Sequence, residues 1–536
     1  WDATWLLVWE KLYSAESILQ PFMAASSSMR VYYSACILLL ATFYMKISIF
    51  AMFRCSFAMG SPFPKKFLPA RNPHPCFPPW TNLAGYAIKC AGRYAKEHEK
   101  AMFNKRRPAQ AAAGNSIIDG VIWKQLLIFF FPILLGTFFQ QLYNTADAII
   151  VGKYVGKEAL AAVGSTGSIS FLVIGFCMGI CNGFAIPVAQ RIGAGEPSKM
   201  RRYVANAAYL GAGIAVVLTA ATGLLCRTIL TAMQTPEEIF ADAYSYIFVI
   251  FMGIPASILY NLLAAIMRSL GDSKTPVYFL ALASILNIGL DFAFILLFRA
   301  GVAGAAIATV LSQALSGLAC LAFMVRRFPI LRMQGAEKRF DLHSAKVLCW
   351  MGIPMGLQYS ITAVGSIILQ SAVNGLGTAA IASVAAGAKL FQLICCPYDA
   401  MGSSMATYCG QNVGACRLDR LGQGIRSCSL LGLAYAVVAF CAMLVFADPC
   451  AMLFLNPSEP QLDLLVSLTS RYVTSVTAFF FPLALVNIIR FSIQGMGYSS
   501  FAILAGVLEM AARAGVGLGL VPVFGYTAVC VASPAA

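Results

Sequence analysis

Charge is what this chain has least of. Only 11% of its 536 residues are Asp, Glu, Lys or Arg, against 59% hydrophobic, with a mean hydropathy of +0.76. That balance excludes a soluble globular protein and leaves a polytopic membrane protein. Histidine is scarcer still: His74, His98 and His343 are the only three, and all lie outside the long apolar runs, which argues against a histidine-dependent membrane hydrolase. No GxxxxGK[ST] loop is present, so ATP is not bound in that manner and any work must draw on an ion gradient. The 17 cysteines show no repeated zinc-ligand spacing and read as small packed residues, not a disulfide framework. The net charge of +16 does not indicate nucleic acid either. About +9 of it falls in residues 1–115 and much of the rest in short loops, as positive-inside topology requires.

Residues 1–115 differ from the rest of the chain. They begin with Trp1, hold one apolar run over 31–53 interrupted by Lys46, and continue into a Pro-rich basic tract over 62–79. The run reads either as a thirteenth span or as foreign upstream sequence, and the composition favours a non-native extension. From Asn115 the pattern becomes regular. Spans are expected at 121–151, 159–187, 203–226, 239–268, 276–298 and 301–325, then at 346–373, 379–408, 424–447, 463–493 and 499–522. A twelfth opens at Gly525, but the sequence stops at Ala536, about 20 residues short of a crossing. The expected fold is an all-α membrane protein of two six-helix bundles related by a pseudo-twofold axis, the first over 116–335 and the second over 336–536 with its last helix truncated.

Two loops and a spacing carry the duplication. Gln190-Arg-Ile-Gly193-Ala194 after the second span matches Gln411-Asn-Val-Gly414-Ala415 after the eighth, and Gly156 with Leu160 matches Gly377 with Ile381 at the same offset. Arg268-Ser-Leu-Gly271 likewise recurs as Gln494-Gly-Met-Gly497. Basic links around Arg191 to Arg202, Arg326 to Lys346 and Arg417 to Arg426 alternate with links poor in Lys and Arg, which puts the basic links in the cytoplasm and both ends of the complete core there too.

Within the spans, carboxylates are the informative residues. Asp147 lies deep in the apolar stretch 130–153 with no basic residue close by. At membrane depth it costs at least ~2.5 kcal/mol and so usually faces a cavity or partner on an ion or substrate path; the plainer reading is a buried Asp tying two helices together. Pro132, fifteen residues earlier, is the expected bend. Asp291 is the second acid, with Asn287 one turn before it on the same face. Two interacting acids would titrate as a pair. On the eleventh span Glu509 and Arg513 sit four apart and read plainly as an internal salt bridge, or more sharply as a gate or second ion site. Lys389 and Arg490 are expected to reach the interface or line a vestibule. Gly175, Gly179 and Gly183 give a close-packing face.

Taken together, Pro132, the run Gln141-Leu-Tyr-Asn144-Thr-Ala-Asp147, Arg268-x-x-Gly271-Asp272-x-x-Thr275-Pro276, Asn287-x-x-x-Asp291 and Gly304-Ala-Ala-Ile-Ala-Thr309 closely resemble the multidrug and toxic compound extrusion (MATE) family, in its prokaryotic DinF-like branch. The resemblance implies a twelve-helix, two-lobed, V-shaped exporter, not an enzyme, that exchanges H⁺ or Na⁺ for organic, often cationic, compounds. It implies no other cofactor or metal, and as partners small organic substrates and the bilayer but no nucleic acid. Such a protein would sit, as a monomer, in a prokaryotic cytoplasmic membrane. Residue by residue it carries the ion-coupling site to Asp147, Asn287 and Asp291, where Na⁺ is a possible occupant. It carries cavity roles to Thr309, Tyr246, Gln141 and Asn144, and a hinge to Pro132. The NorM-like branch relies instead on second-lobe acids; the seventh span lacks one here and the tenth has none past Asp463, which favours coupling in the first lobe. The rivals are a lipid-linked precursor flippase of the same superfamily, whose relatives tend to have cationic cavities, and a membrane-embedded enzyme or receptor.

Overall fold

A computed structural model describes residues 116–233, 235–455 and 461–535. The atypical segment 1–115, with its apolar run and His74 and His98, lies outside the described residues.

After a one-turn helix (Ser116–Asp119), the first half consists of α1 (Ile122–Tyr154), α2 (Lys157–Gly193), α3 (Pro197–Ala232), α4 (Glu237–Met252), α5 (Ile254–Ser269), α6 (Lys274–Phe292) and α7 (Gly301–Arg327). The second half holds α8 (Leu342–Asn374), α9 (Thr378–Gly414), α10 (Leu418–Met452), α11 (Leu462–Thr477), α12 (Phe480–Gly495), α13 (Ser500–Ala514), α14 (Val521–Phe524) and α15 (Tyr526–Ala535). Among the described residues nine helices are long and apolar enough to cross a membrane, and the bent pairs α4–α5 and α11–α12 bring the number to eleven. Several run past the expected ends, as α3 does at both of its termini. Hydropathy marks only the part inside the slab, whereas a helix keeps its backbone bonds into the polar margin. Side chains such as Leu224, Leu297 and Leu453 stand exposed on the outer faces, where lipid is their solvent.

The duplication is written into the backbone. Positive φ occurs at Gly156 and Gly377, Gly195 and Cys416, Gly271 and Gly497, and Gly301 and Gly525, so each of these turns in the first half has its counterpart in the second. Cys416 adopts φ 58° without being glycine, a strained choice that the repeated turn imposes. The fourth span bends by 46° at Gly253 and the tenth by 51° at 478–479, and α6 and α13 both run on into a π-helical turn, Ala293–Leu297 and Gly515–Leu520.

Helix α1 keeps its helical backbone through Pro132, where a bend is expected. It is one uninterrupted 33-residue helix, about 50 Å long and therefore inclined in a ~30 Å slab. Around the proline the helix touches both halves. Leu126, Phe129, Phe130 and Ile133 pack into the second-half core with Tyr398, Met405 and Tyr408, whereas Gly136 already faces Val277 of α6. One helix thus joins both halves.

The glycine face of α2 packs across the halves. A Cβ on Gly179 would lie 2.6 Å from the Met355 carbonyl oxygen, and one on Gly183 2.5 Å from Gly352 Cα, so α2 and α8 touch backbone to backbone. The link between the halves is also held. Glu337 accepts from Arg201 Nε at 2.6 Å and Nη2 at 2.7 Å, and from the Gln334 N–H at 2.9 Å.

These donors, Arg201 first, hold the Glu337 carboxyl down to about 2 from an ordinary 4.5. A depressed pKa means the unfolded chain binds the proton first. The clamp therefore contributes fully above pH 4.5 and loses its contribution as pH falls toward 2. Melting followed between pH 6 and 3 is expected to show Glu337→Gln with a lower midpoint at pH 6 and a flatter acid decline than the parent; parallel curves would refute the clamp.

Candidate functional site

The polar residues of the first half converge where α1, α6 and α7 meet. Asp147 comes from α1, Asn287 and Asp291 from one face of α6, and Thr309 from α7. Thr309 Oγ1 donates to Asp147 Oδ2 at 3.1 Å and accepts from Asn287 Nδ2 at 3.3 Å. It also lies 3.1 Å from the Ala305 carbonyl. Asp147 is within hydrogen-bonding reach of Asp291 and Asn287 as well. Asp291 and Asn287 are sealed, at 0% and 1% exposure, whereas Asp147 is only partly buried and forms the accessible edge of the cluster.

Four buried oxygens here have no donor: Asp147 Oδ1, Asn287 Oδ1 and both oxygens of Asp291. Buried acceptors are ordinarily satisfied. Two facing carboxyls and an amide oxygen are hard oxygen ligands, a donor set that suits a proton or a small hard cation. Tyr246 of α4 stands close enough to interact with Asp147, Asp291 and Tyr143.

Gln141 and Asn144 do not join this cluster: Asn144 is exposed, and neither side chain is bonded to the acids. Their neighbour Tyr143 does join it. It interacts with Asp147 and bonds Gln313 and Gln140, and Gln313 Oε1 accepts from Ser257 Oγ at 2.6 Å. The signal for it is its spacing, since Tyr143 precedes Asp147 by four residues and so shares its helix face.

In the second half, Glu509 pairs with Arg513 at 2.8 Å and with Arg490 at 3.8 Å, and accepts from Thr362 Oγ1 at 3.1 Å. Arg490 therefore joins this cluster. It also donates to Asn487 Oδ1 at 2.5 Å, and with the Gln358 oxygen facing it, to that oxygen at 2.9 Å. Lys389 is exposed. Asp399, in the middle of α9, is a further acid that no sequence motif marks: it is exposed within the span, interacts with Arg490 and has Tyr359 beside it.

The two repeated loops meet each other at the basic end. A Cβ on Gly193 would fall 1.9 Å from the Gln411 carbonyl oxygen, and one on Gly414 1.9 Å from that of Gln190. Gln190 Nε2 donates to the Gly495 carbonyl at 3.1 Å, and Gln411 Nε2 to that of Ser269 at 2.7 Å. The halves are thus interlocked reciprocally, each glutamine capping the bent span of the opposite half. Just above lies a cavity of about 30 Å³ shared by both halves, with Asn182, Arg268, Ser403, Thr407 and Phe491 in its wall.

The family profile described as MatE matches this chain twice, over residues 132–293 and 354–516, once in each half. The chain is 33% identical over 300 residues to "Probable multidrug resistance protein YpnP" of Bacillus subtilis, covering 55% of this chain and 66% of that one. It is 28% identical over 345 residues to "Probable multidrug resistance protein YoeA" of the same organism, covering 63% and 74%. A solved MOP superfamily transporter from Pyrococcus furiosus superposes with a TM-score of 0.74 at 21% identity, covering 79% of this chain and 94% of that one.

Proposed function

The chain belongs to the MatE family of multi-pass membrane proteins, and from that premise we propose that it is a secondary active antiporter exporting organic, often cationic, compounds in exchange for H⁺ or Na⁺. Asp147, Asn287 and Asp291 are its coupling site. It works as a monomer in the cytoplasmic membrane of a prokaryote, its basic links facing the cytoplasm.

One observation carries the reading: a partly accessible acid and a sealed acid face each other, with four buried oxygens between them and Asn287 lacking a donor. A proton or Na⁺ taken up at Asp147 supplies what they lack. Thr309 has one hydroxyl proton and two acceptors, Asp147 Oδ2 and the Ala305 carbonyl. With Asp147 ionised it donates to the carboxylate. With Asp147 protonated, the acid donates to Thr309, whose proton turns to Ala305. Each event reorders the contacts of α1 with α7, and because the same helix is embedded in the second-half core before Pro132, the change reaches both halves. One charge moving down 100 mV supplies ~2.3 kcal/mol for this.

Asp147→Asn is the test. In inverted vesicles it is expected to lower gradient-driven dye transport at least ~10-fold, by removing the titrating group. Imposing a pH or a sodium gradient separately identifies the ion. Unchanged transport under both gradients overturns the assignment.

A further inference from the structure

We propose that the small cavity shared by the two halves near the basic end is an anion-accepting subsite, in which Arg268 receives the carboxylate of a transported compound with help from Asn182, Ser403 and Thr407. The inference rests on the export reading in taking a transported compound as the ligand, and adds a chemical class to it.

Arg268 is the last charged residue of α5, set where the fourth span ends. Its side chain is only partly exposed, and a guanidinium withdrawn from water is ordinarily paired with an acid. Here the pairing is missing. Among the described residues its one hydrogen bond is from Nη2 to Asn182 Oδ1 at 3.1 Å, and no carboxylate lies within ion-pair distance. The titratable groups nearest to it are Tyr260, Tyr359 and Cys181. The second half differs: its intramembrane arginines, Arg490 and Arg513, share Glu509. The nearest acid of the facing helix, Asp399, lies one turn beyond Ser403 and interacts with Arg490.

A guanidinium carries five N–H donors in a planar fork that matches a carboxylate. Arg268 uses one of them on Asn182. The cavity it borders has no acidic residue in its wall and offers hydroxyls from Ser403 and Thr407 of the opposite half. The arginine is also held in place by the interlock, since the carbonyl of the adjoining Ser269 accepts from Gln411 Nε2. A carboxylate bound here bridges the two halves where they are already closed, and so favours the arrangement closed at the basic end.

The probe is a rhodamine with a free carboxylate and its methyl ester, titrated by fluorescence anisotropy against the purified full chain in detergent with no gradient. The free acid is expected to bind about tenfold tighter than the ester, the usual worth of a charge-assisted hydrogen bond. Arg268→Gln should erase that preference while ester binding stays within about twofold. Asn182→Asp, which keeps the arginine but gives it an acid of its own, should erase it as well, so that misfolding of one variant does not decide the matter. Benzoate should displace the free acid from the parent protein. The proposal is overturned if the parent binds acid and ester alike or fails to bind the acid, if the preference survives both substitutions, or if inorganic phosphate displaces the dye and benzoate does not. Read at equilibrium, the result stands apart from the gradient-driven behaviour of Asp147→Asn.

Discussion

Gly414→Ala is expected to open the basic end of the protein. The added Cβ falls 1.9 Å from the Gln190 carbonyl oxygen, so the two helix ends must part by at least about 1 Å to restore van der Waals contact. Overpacking typically costs 1–3 kcal/mol, and here the opposing atom is backbone, which no rotamer change can move aside. Parting also stretches the Gln190 to Gly495 and Gln411 to Ser269 bonds, each worth about 1 kcal/mol. Gly193→Ala should do the same from the other side, because the contact is reciprocal. The measurement is the labelling of Ser403→Cys in the cavity wall by a membrane-impermeant maleimide applied from the basic side, with Cys416 and Cys441, the exposed cysteines among the described residues, and the four cysteines of residues 1–115 changed to serine. A shift of about 2 kcal/mol predicts at least a tenfold rise in labelling rate over the parent. Equal rates would mean that the helix ends yield without separating the halves.

Glu509→Gln should be the most damaging single change in the second half. One carboxylate serves both Arg513 and Arg490, and all three side chains are no more than 20% exposed. Removing its charge leaves two guanidinia sharing amide, hydroxyl and carbonyl acceptors from Asn487, Ser366 and Thr362. Breaking a buried pair in this way costs about 3–5 kcal/mol, because the stranded charges remain desolvated. Thermal unfolding in detergent should register it as a fall of several degrees, roughly 2 °C or more per kcal/mol. Glu509→Met with Arg513→Met should be milder than Glu509→Gln alone, since it removes one of the stranded charges along with the acid. A Glu509→Gln midpoint within error of the parent would show that the cluster is solvated and the pair structurally idle.

The glycines and the ion pair differ in how legible they were. Glu509 and Arg513 stand four apart, so a helix of any tertiary setting brings them together, and the pairing follows from the sequence. Arg490 does not: it stands on α12, and only the packing of α12 beside α13 brings it to Glu509. The repeated loops were readable as a duplication from Gly193 and Gly414, but nothing in the pattern said that the copies touch each other. Similarity between two segments reports common geometry, and whether they meet depends on where the symmetry axis passes. Tyr143 was readable by its helical spacing from Asp147, although the expectation fell on its more polar neighbours Gln141 and Asn144. Asp399 lies inside an expected span, but no motif frames it.

Composition and spacing along one chain were enough to place the hydrophobic spans, the twofold repeat and the acids of α1 and α6. Other features came from the packing of helix on helix. Packing set Thr309 between Asp147 and Asn287, brought Arg490 to Glu509 and left Arg268 without an acid beside the cavity between the halves. Each of those outcomes turns on which helix faces meet, and membrane helices are uniformly apolar. Hydropathy therefore cannot tell a lipid-facing side from a buried one, and only close packing of small residues and the pairing of polar groups choose between them.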